Sequence, residues 1–146
     1  MEERSEFKAG LQIADICWGG VGIGYIIGLS ITVVVGIPLF VIAESSWLLA
    51  AAGLGGLLIG GFAVGRRVGA RIALINGALT AVLYYLTVAL AYLAASFLEL
   101  LPEPLPGLPQ GDSTFFFAWP LAQFVVGVTS AMIGSRFADQ HVEGEG

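Results

Sequence analysis

The sequence predicts an all-α membrane protein, a compact four-helix transmembrane bundle in which residues 1–146 form a single domain. Of the 146 residues, 57% are hydrophobic and 12% are charged, whereas about a quarter of an average soluble domain is charged. A soluble chain of this length could not bury so much apolar surface in one core. Four apolar runs, at about 16–43, 47–64, 72–98 and 115–134, approach or exceed the roughly 20 residues that cross a bilayer as a helix.

The distribution of the basic residues predicts the orientation of this bundle. With four spans, the N-terminal tail at 1–15, the turn between spans 2 and 3, and the C-terminal tail at 135–146 share one side of the membrane. All six basic residues lie on that side: Arg4, Lys8, Arg66, Arg67, Arg71 and Arg136. Lys and Arg in short loops are held in the cytoplasm during insertion. We therefore expect a multi-pass protein of the plasma membrane with both termini cytoplasmic.

The opposite side has acidic residues but neither lysine nor arginine. It carries Glu44, Glu99, Glu103 and Asp112. The Pro-rich segment at 99–113 disfavours a regular helix and is predicted to be an external loop that either lies along the membrane surface or caps the bundle. On the basic side, Arg66, Arg67 and Arg71 are interpreted first as a topology signal and second as a site for anionic lipid headgroups. These two interpretations are compatible.

The ends of the predicted spans carry their own signals. Trp18 and Trp47 lie where spans 1 and 2 begin, as expected for an aromatic belt at the headgroup level. Pro38, near the outer end of span 1, is expected to kink or end that helix. Short turns join spans 1 to 2 and 2 to 3, so each pair is expected to be antiparallel neighbours. The N-terminal tail is predicted as either a short interfacial helix or a frayed start, and residues 138–146 as disordered.

Small residues repeat at every fourth position of the spans and so line single helix faces. Span 1 carries Gly20, Gly24, Gly28, Thr32 and Gly36, span 2 carries Gly56 and Gly60 and then Gly61, Gly65 and Gly69, and span 3 carries Gly77. In lipid, helices associate through close packing, which small residues permit. We expect these positions to pack helices, with the span 1 stripe against span 2. The stripes either hold the four spans together or leave one face for a second subunit.

Polar residues also share helix faces within the spans. They are Tyr25 and Thr32 on span 1, Asn76, Thr80, Tyr84 and Thr87 on span 3, and Gln123 and Ser130 on span 4. They form either a narrow polar seam for an ion or small solute or hydrogen bonds between helices. A primary amide cannot be fully satisfied within its own helix, so Asn76 is expected to bond to span 1 or span 4.

The sequence offers no constellation for catalysis, metal binding or a cofactor. Cys17 and His141 are the only residues of their types, and no Asp, Glu, Lys, Arg or His lies deep in a span. The protein is therefore expected not to be an enzyme, to bind no metal and no cofactor, and not to be driven by protons. Its net charge of −5 argues against a nucleic-acid partner. The expected partners are the lipid bilayer and either a second copy of the chain or another membrane protein.

The stretch GGFAVGRRVGARIALINGAL, at 60–79, resembles small four-helix integral membrane proteins of unknown function from archaea and bacteria. Their second span ends in a GGFxAG-like run and their third span opens with a small-residue pattern. The matching positions are Gly60, Gly61, Phe62 and Gly65 in the run and Gly77 and Leu79 in the opening. Val64 departs from the pattern, which has a small residue there. The resemblance implies a four-helix fold and no known activity.

Two functional hypotheses follow from these patterns. The leading one is a non-enzymatic integral membrane protein that acts through helix packing and association with itself or a partner. The alternative is a small channel or uncoupled transporter that uses the polar seam of spans 1, 3 and 4. An open polar cavity along the seam would favour the alternative, and a closed seam with one glycine stripe facing lipid would favour the leading hypothesis.

Overall fold

The computed structural model describes residues 16–100 and 113–143, which form helices and no strand. The elements are α1 (Trp18–Ile31), a π-helical segment (Thr32–Gly36), α2 (Ile37–Ala43), α3 (Ser46–Gly65), α4 (Ala70–Phe97) and α5 (Ser113–Glu143). The predictions for the N-terminal tail and for most of the Pro-rich loop lie outside the described residues.

Four helices are long and apolar enough to cross a membrane. They are Trp18–Ala43, which comprises α1, the π-helical segment and α2, and then Ser46–Gly65, Ile72–Phe97 and Phe117–Ala138. Large apolar side chains such as Val34, Ile42 and Phe117 are exposed on the outside of the protein, as expected of surfaces that face lipid. The prediction of an all-α, multi-pass membrane protein with four spans is confirmed.

Pro38 does not end the first helix, because the turn before it widens. Proline has no N–H to donate, and its ring collides with the carbonyl of the residue four positions earlier, here Val34. In the π-helical segment, the N–H of Ile37 bonds to the carbonyl of Thr32, five residues back. A π turn shifts the hydrogen-bond register by one residue, so the helix continues through Pro38 to Ala43.

The second span lies at the centre of the packing. α3 packs most extensively against α5 and α1, and α4 packs mainly against α5, with smaller contacts to α1 and α3. α1 and α5 therefore lie on different sides of α3. The short turn between α3 and α4 does bring them into contact, but the more extensive partner of both helices is α5.

The C-terminal tail was predicted to be disordered, and for residues 138–143 this prediction is wrong. α5 continues without a break to Glu143, since the sequence after the span has no glycine or proline before Gly144. The helix is anchored by Ser135, which is buried, and by the rings of Phe137 and Phe62, whose centroids are 5.8 Å apart edge to face. Residues 144–146 lie outside the described residues.

Two glutamates end helices in the left-handed conformation. Glu44 has φ 50° and Glu99 has φ 55°. Around Glu99, the N–H of Leu100 donates to the carbonyl of Ala95 at 2.9 Å. The N–H of Glu99 donates to the carbonyl of Ser96 at 3.0 Å. These two bonds define a Schellman motif, whose left-handed position is normally glycine.

Glu99→Gly is therefore expected to raise the free energy of unfolding by about 1 kcal/mol. The left-handed conformation costs a residue with a Cβ roughly 1–2 kcal/mol, and glycine escapes that cost. The free energy can be measured by SDS titration in mixed micelles. Glu99→Ala is the control, because it removes the carboxylate and keeps the Cβ. An equal gain from both variants would show that the charge matters and the backbone does not.

Candidate functional site

The glycine stripe of α1 lies against α3. A Cβ on Gly24 would come within 2.7 Å of the Gly60 carbonyl oxygen, and a Cβ on Gly56 within 2.6 Å of the Gly28 carbonyl oxygen. The facing residue number falls from 60 to 56 on α3 as it rises from 24 to 28 on α1, so the two helices are antiparallel. At both places the backbones are in contact. Gly36 extends the contact to the side chains of Leu49 and Ala52, and Gly20 faces Cys17 and Val68.

The second stripe of α3 serves a different neighbour. A Cβ on Gly61 would meet the Ser130 side chain and, at 2.8 Å, the carbonyl oxygen of Gly127, while a Cβ on Gly65 would meet the backbone of Ala131. Gly77 of α4 faces the same part of α5, since its Cβ would lie 2.7 Å from the Gly127 carbonyl. The two offset stripes of α3 thus correspond to its two main neighbours, α1 and α5.

Gly69 was predicted to continue the second stripe, and the structure does not place it there. It is exposed, and a Cβ on it would meet nothing within 4 Å. The reason is that α3 ends at Gly65, so helical spacing no longer applies four residues later. Gly69 occupies the extended N-cap position of α4. The turn also carries the exposed side chains of Arg66 and Arg67.

Two tyrosine–threonine pairs join the first span to α4, and each of the two helices supplies the tyrosine of one pair and the threonine of the other. The Tyr84 hydroxyl lies 2.7 Å from the Thr32 hydroxyl, and the Tyr25 hydroxyl lies 2.9 Å from the Thr87 hydroxyl. Each threonine donates its one proton to its own helix, Thr32 to Gly28 and Thr87 to the Leu83 carbonyl. In each pair the tyrosine must therefore be the donor. We call these four side chains the Tyr–Thr clasp.

Asn76 bonds to span 1 and to its own helix. Its Oδ1 accepts the backbone N–H of Cys17, which precedes α1, at 3.0 Å, and its Nδ2 donates to the Ile72 carbonyl at 2.9 Å. Thr80 donates to the Asn76 carbonyl at 2.8 Å. Both Asn76 and Thr80 have 0% exposed surface, so no water-sized space adjoins either of them in this conformation.

The two polar residues of span 4 are not joined to this group by the described hydrogen bonds. Ser130 donates to Gly127 of its own helix at 3.1 Å and approaches the Leu57 carbonyl of α3 at 3.5 Å. Gln123 is buried, and its Oε1 has no hydrogen-bond partner among the described residues. The hydrogen bonds of the predicted seam therefore fall into two groups: those of spans 1 and 3 join α1 to α4, and that of Ser130 joins α5 to α3.

Asn76→Leu is expected to lower the free energy of unfolding by about 1 kcal/mol, given the modest worth of hydrogen bonds between membrane helices. The variant should keep its fold, and hydrogen exchange at the Cys17 amide should become faster because that N–H loses its acceptor. Thr129→Val is a baseline, since Thr129 bonds only to carbonyls of its own helix. Unchanged exchange at Cys17 would contradict the observed pairing.

One outward-facing feature was not anticipated from the sequence. A shallow, open depression of about 350 Å³ along the first span is lined by Ile26, Leu29, Ser30, Val33 and Val34, of which Leu29 also packs against the buried core. Nearby, a Cβ on Gly22 would meet nothing within 4 Å. The available signal was the spacing of Gly22, Ile26, Leu29 and Val33, at steps of four, three and four, but an apolar run gives little indication of which face is left outside.

Within residues 16–100 and 113–143, no three His, Cys, Asp or Glu side chains come together in a way that could hold a metal ion. Comparison of the chain with protein-family models, with curated proteins and with solved structures finds no match. The resemblance to small four-helix proteins of archaea and bacteria therefore stays a prediction.

Proposed function

We propose that the protein is a non-enzymatic integral membrane protein that acts by associating with itself or with another membrane protein through a lipid-facing helix surface. The observation that carries this proposal is the contrast between the two faces of the first span. The inner face is filled by α3 and α4, whereas the outer face exposes Ile26, Val33 and Val34 around a shallow, open depression. Such a face gives a second helix room for the close packing that drives association in lipid.

No glycine stripe in the described helices is left facing lipid, so the stripes do not supply the surface for a partner. They are used by contacts within the bundle, as the approach of Gly24 to Gly60 illustrates. A partner must therefore bind elsewhere, and the bundle becomes a rigid support for its outer surfaces. The hydrogen-bonded tyrosines and threonines between α1 and α4 fit the same role, since they fix the position of span 1.

Mass measurement in mild detergent tests this function. Purified protein should have a mass above that of one chain, or carry a second membrane protein in fixed stoichiometry, over a range of concentrations. A monomer without a protein partner at every concentration would contradict the proposal.

The second candidate function is the channel or uncoupled transporter. It is favoured by Gln123, whose buried carbonyl oxygen lacks a donor among the described residues and would be satisfied by a passing polar solute or water. Reconstituted liposomes loaded with ions or small neutral solutes provide the test. Flux that Gln123→Leu abolishes while the fold persists would establish the channel and displace association as the primary role.

The orientation belongs to the proposal as well. We propose that both termini lie in the cytoplasm and that the protein resides in the plasma membrane, on the basis of the six basic residues confined to one side. Arginines in short loops fix orientation because they resist translocation.

A reporter fused after Gly146 should therefore be cytoplasmic, and one inserted at Gly107 should be external. Replacing Arg66, Arg67 and Arg71 together with alanine should give mixed orientations. The same three residues changed to lysine form the matched control, because the charge is kept and the orientation should be unchanged. An external C-terminal reporter in the unmodified protein would overturn the assignment.

A further inference from the structure

The two ends of the first span are held by the bundle to different degrees. The buried residues of α1 are Gly20, Val21, Gly24 and Gly28, whereas from Thr32 to Ala43 only Gly36 is buried. α1 packs against both α3 and α4, while α2 packs against α3 and has no comparable contact with α4. The span therefore consists of a firmly packed inner part and a lightly packed outer arm, which is α2 (Ile37–Ala43).

The arm begins beside a contact that is made mainly by side chains. A Cβ on Gly36 would lie 3.0 Å from Cδ1 of Leu49 and 3.1 Å from the Cβ of Ala52. Further inside, Gly24 and Gly60 bring backbone against backbone. Because the Leu49 side chain can rotate and a helix backbone cannot, the contact at Gly36 resists displacement less than the contact at Gly24.

The π-helical segment between the two parts has the features of a hinge. Pro38 has no N–H and donates to neither Val33 nor Val34, so bending there breaks fewer backbone hydrogen bonds than bending elsewhere in the span. Sharp bends in helices occur at prolines and at π-bulges, and this segment adjoins both. Its first residue is held in place, since the Thr32 hydroxyl lies 2.7 Å from that of Tyr84. A bend in this segment therefore moves the arm and leaves α1 where it is.

We propose that α2 is a hinged arm that swings about Thr32–Gly36 and, in its open position, uncovers the outer part of α3 at Leu49 and Ala52. The closed position is the packed one described above. Exchange between two positions of one element about a short hinge is a common switching device. The motion takes place within one chain, so the inference does not depend on the proposed function.

Distances between two spin labels, measured by double electron–electron resonance in liposomes, test the hinge. In a Cys17→Ser background, one label is placed at Leu58→Cys on α3 and the other at Val41→Cys on the arm, since both side chains are exposed. This pair should give two distances. The matched control pairs Leu58→Cys with Leu93→Cys, which is exposed towards the outer end of α4, a single uninterrupted α-helix. The control pair should give one narrow distance.

Two changes at the hinge test whether the π-helical segment is the pivot. Pro38→Ala restores the missing N–H and should lower the ratio of open to closed arm by about fivefold, as expected for one net hydrogen bond. Deletion of Val34 in the Pro38→Ala protein removes the extra residue of the π turn and keeps the same face of α2 towards α3. That variant should show the closed distance alone.

Each outcome supports or overturns the hinge. A single narrow distance between Val41→Cys and Leu58→Cys in the parent overturns it, and so do two distances that neither change at the hinge alters. If the deletion variant does not fold, Pro38→Ala decides alone, because Pro38 is exposed and its replacement removes no buried contact. Labelled chains are diluted with unlabelled ones, so the distances come from single chains. The mass measurement that tests association can therefore fail while the hinge stands, and the reverse.

Discussion

Gly60→Ala is expected to destabilise the bundle by about 2–3 kcal/mol, whereas Gly55→Ala on the same helix should leave its stability nearly unchanged. A Cβ on Gly60 would collide with the Gly24 carbonyl, which is backbone and cannot rotate aside. The helices must then separate, and overpacking of this kind costs typically 1–3 kcal/mol. A Cβ on Gly55 would meet nothing within 4 Å.

The two variants form a matched pair, since the chemical change is the same and the positions are five residues apart on α3. Unfolding by SDS titration in mixed micelles gives the difference in free energy. A third variant, Gly28→Ala, refines the test because its Cβ would lie at 3.4 Å from the Tyr84 ring and 3.6 Å from the Gly56 carbonyl. These are ordinary contact distances, so Gly28→Ala should cost much less than Gly60→Ala. Equal losses for Gly55 and Gly60 would show that loss of glycine itself, and not the contact, destabilises the bundle.

The spans and their small-residue faces were predictable from sequence because both depend on short-range periodicity. Apolar runs of sufficient length predict the spans, and repeats of four place Gly24 and Gly28 on one face of a helix. The identity of each facing helix depends on how the helices are rotated and ordered in space. The sequence contained two offset stripes on span 2, but only the packing shows that Gly61 and Gly65 face α5.

The polar residues show the same limit. Helical spacing grouped Asn76, Thr80 and Tyr84 on one face of α4, and the amide of Asn76 required a partner outside its helix. Spacing could not show that Tyr25 bonds to Thr87, because that pairing depends on the crossing of α1 and α4. The π-helical segment was equally inaccessible, since Pro38 predicts a disturbance without specifying how neighbouring residues absorb it.

Tyr84→Ala is expected to cause a loss of stability of about 3–5 kcal/mol. The side chain is 1% exposed and packs with Leu57 and Ala81 in the buried core. Its ring edge lies near Gly28. Its hydroxyl oxygen lies 2.6 Å from the position that a Cβ on Gly53 would take. Truncation removes a large buried side chain and leaves a cavity among three helices, which is the costliest class of core substitution.

Tyr84→Phe separates the ring from the hydroxyl. It keeps the packing and removes only the hydrogen bond to Thr32, so its cost should be about 0.6 kcal/mol, the average for hydrogen bonds between membrane helices. A double-mutant cycle with Thr32→Val measures the coupling directly, and the two losses should be less than additive. Tyr85→Ala is the control for truncating a neighbouring tyrosine, because Tyr85 is exposed and its truncation should cost little stability.

If Tyr84→Phe were as damaging as Tyr84→Ala, the hydroxyl of the Tyr–Thr clasp would hold span 1 in place more strongly than the ring. If the cycle showed no coupling, the 2.7 Å contact between the two hydroxyls would contribute nothing, and the α1–α4 contact would depend on packing alone.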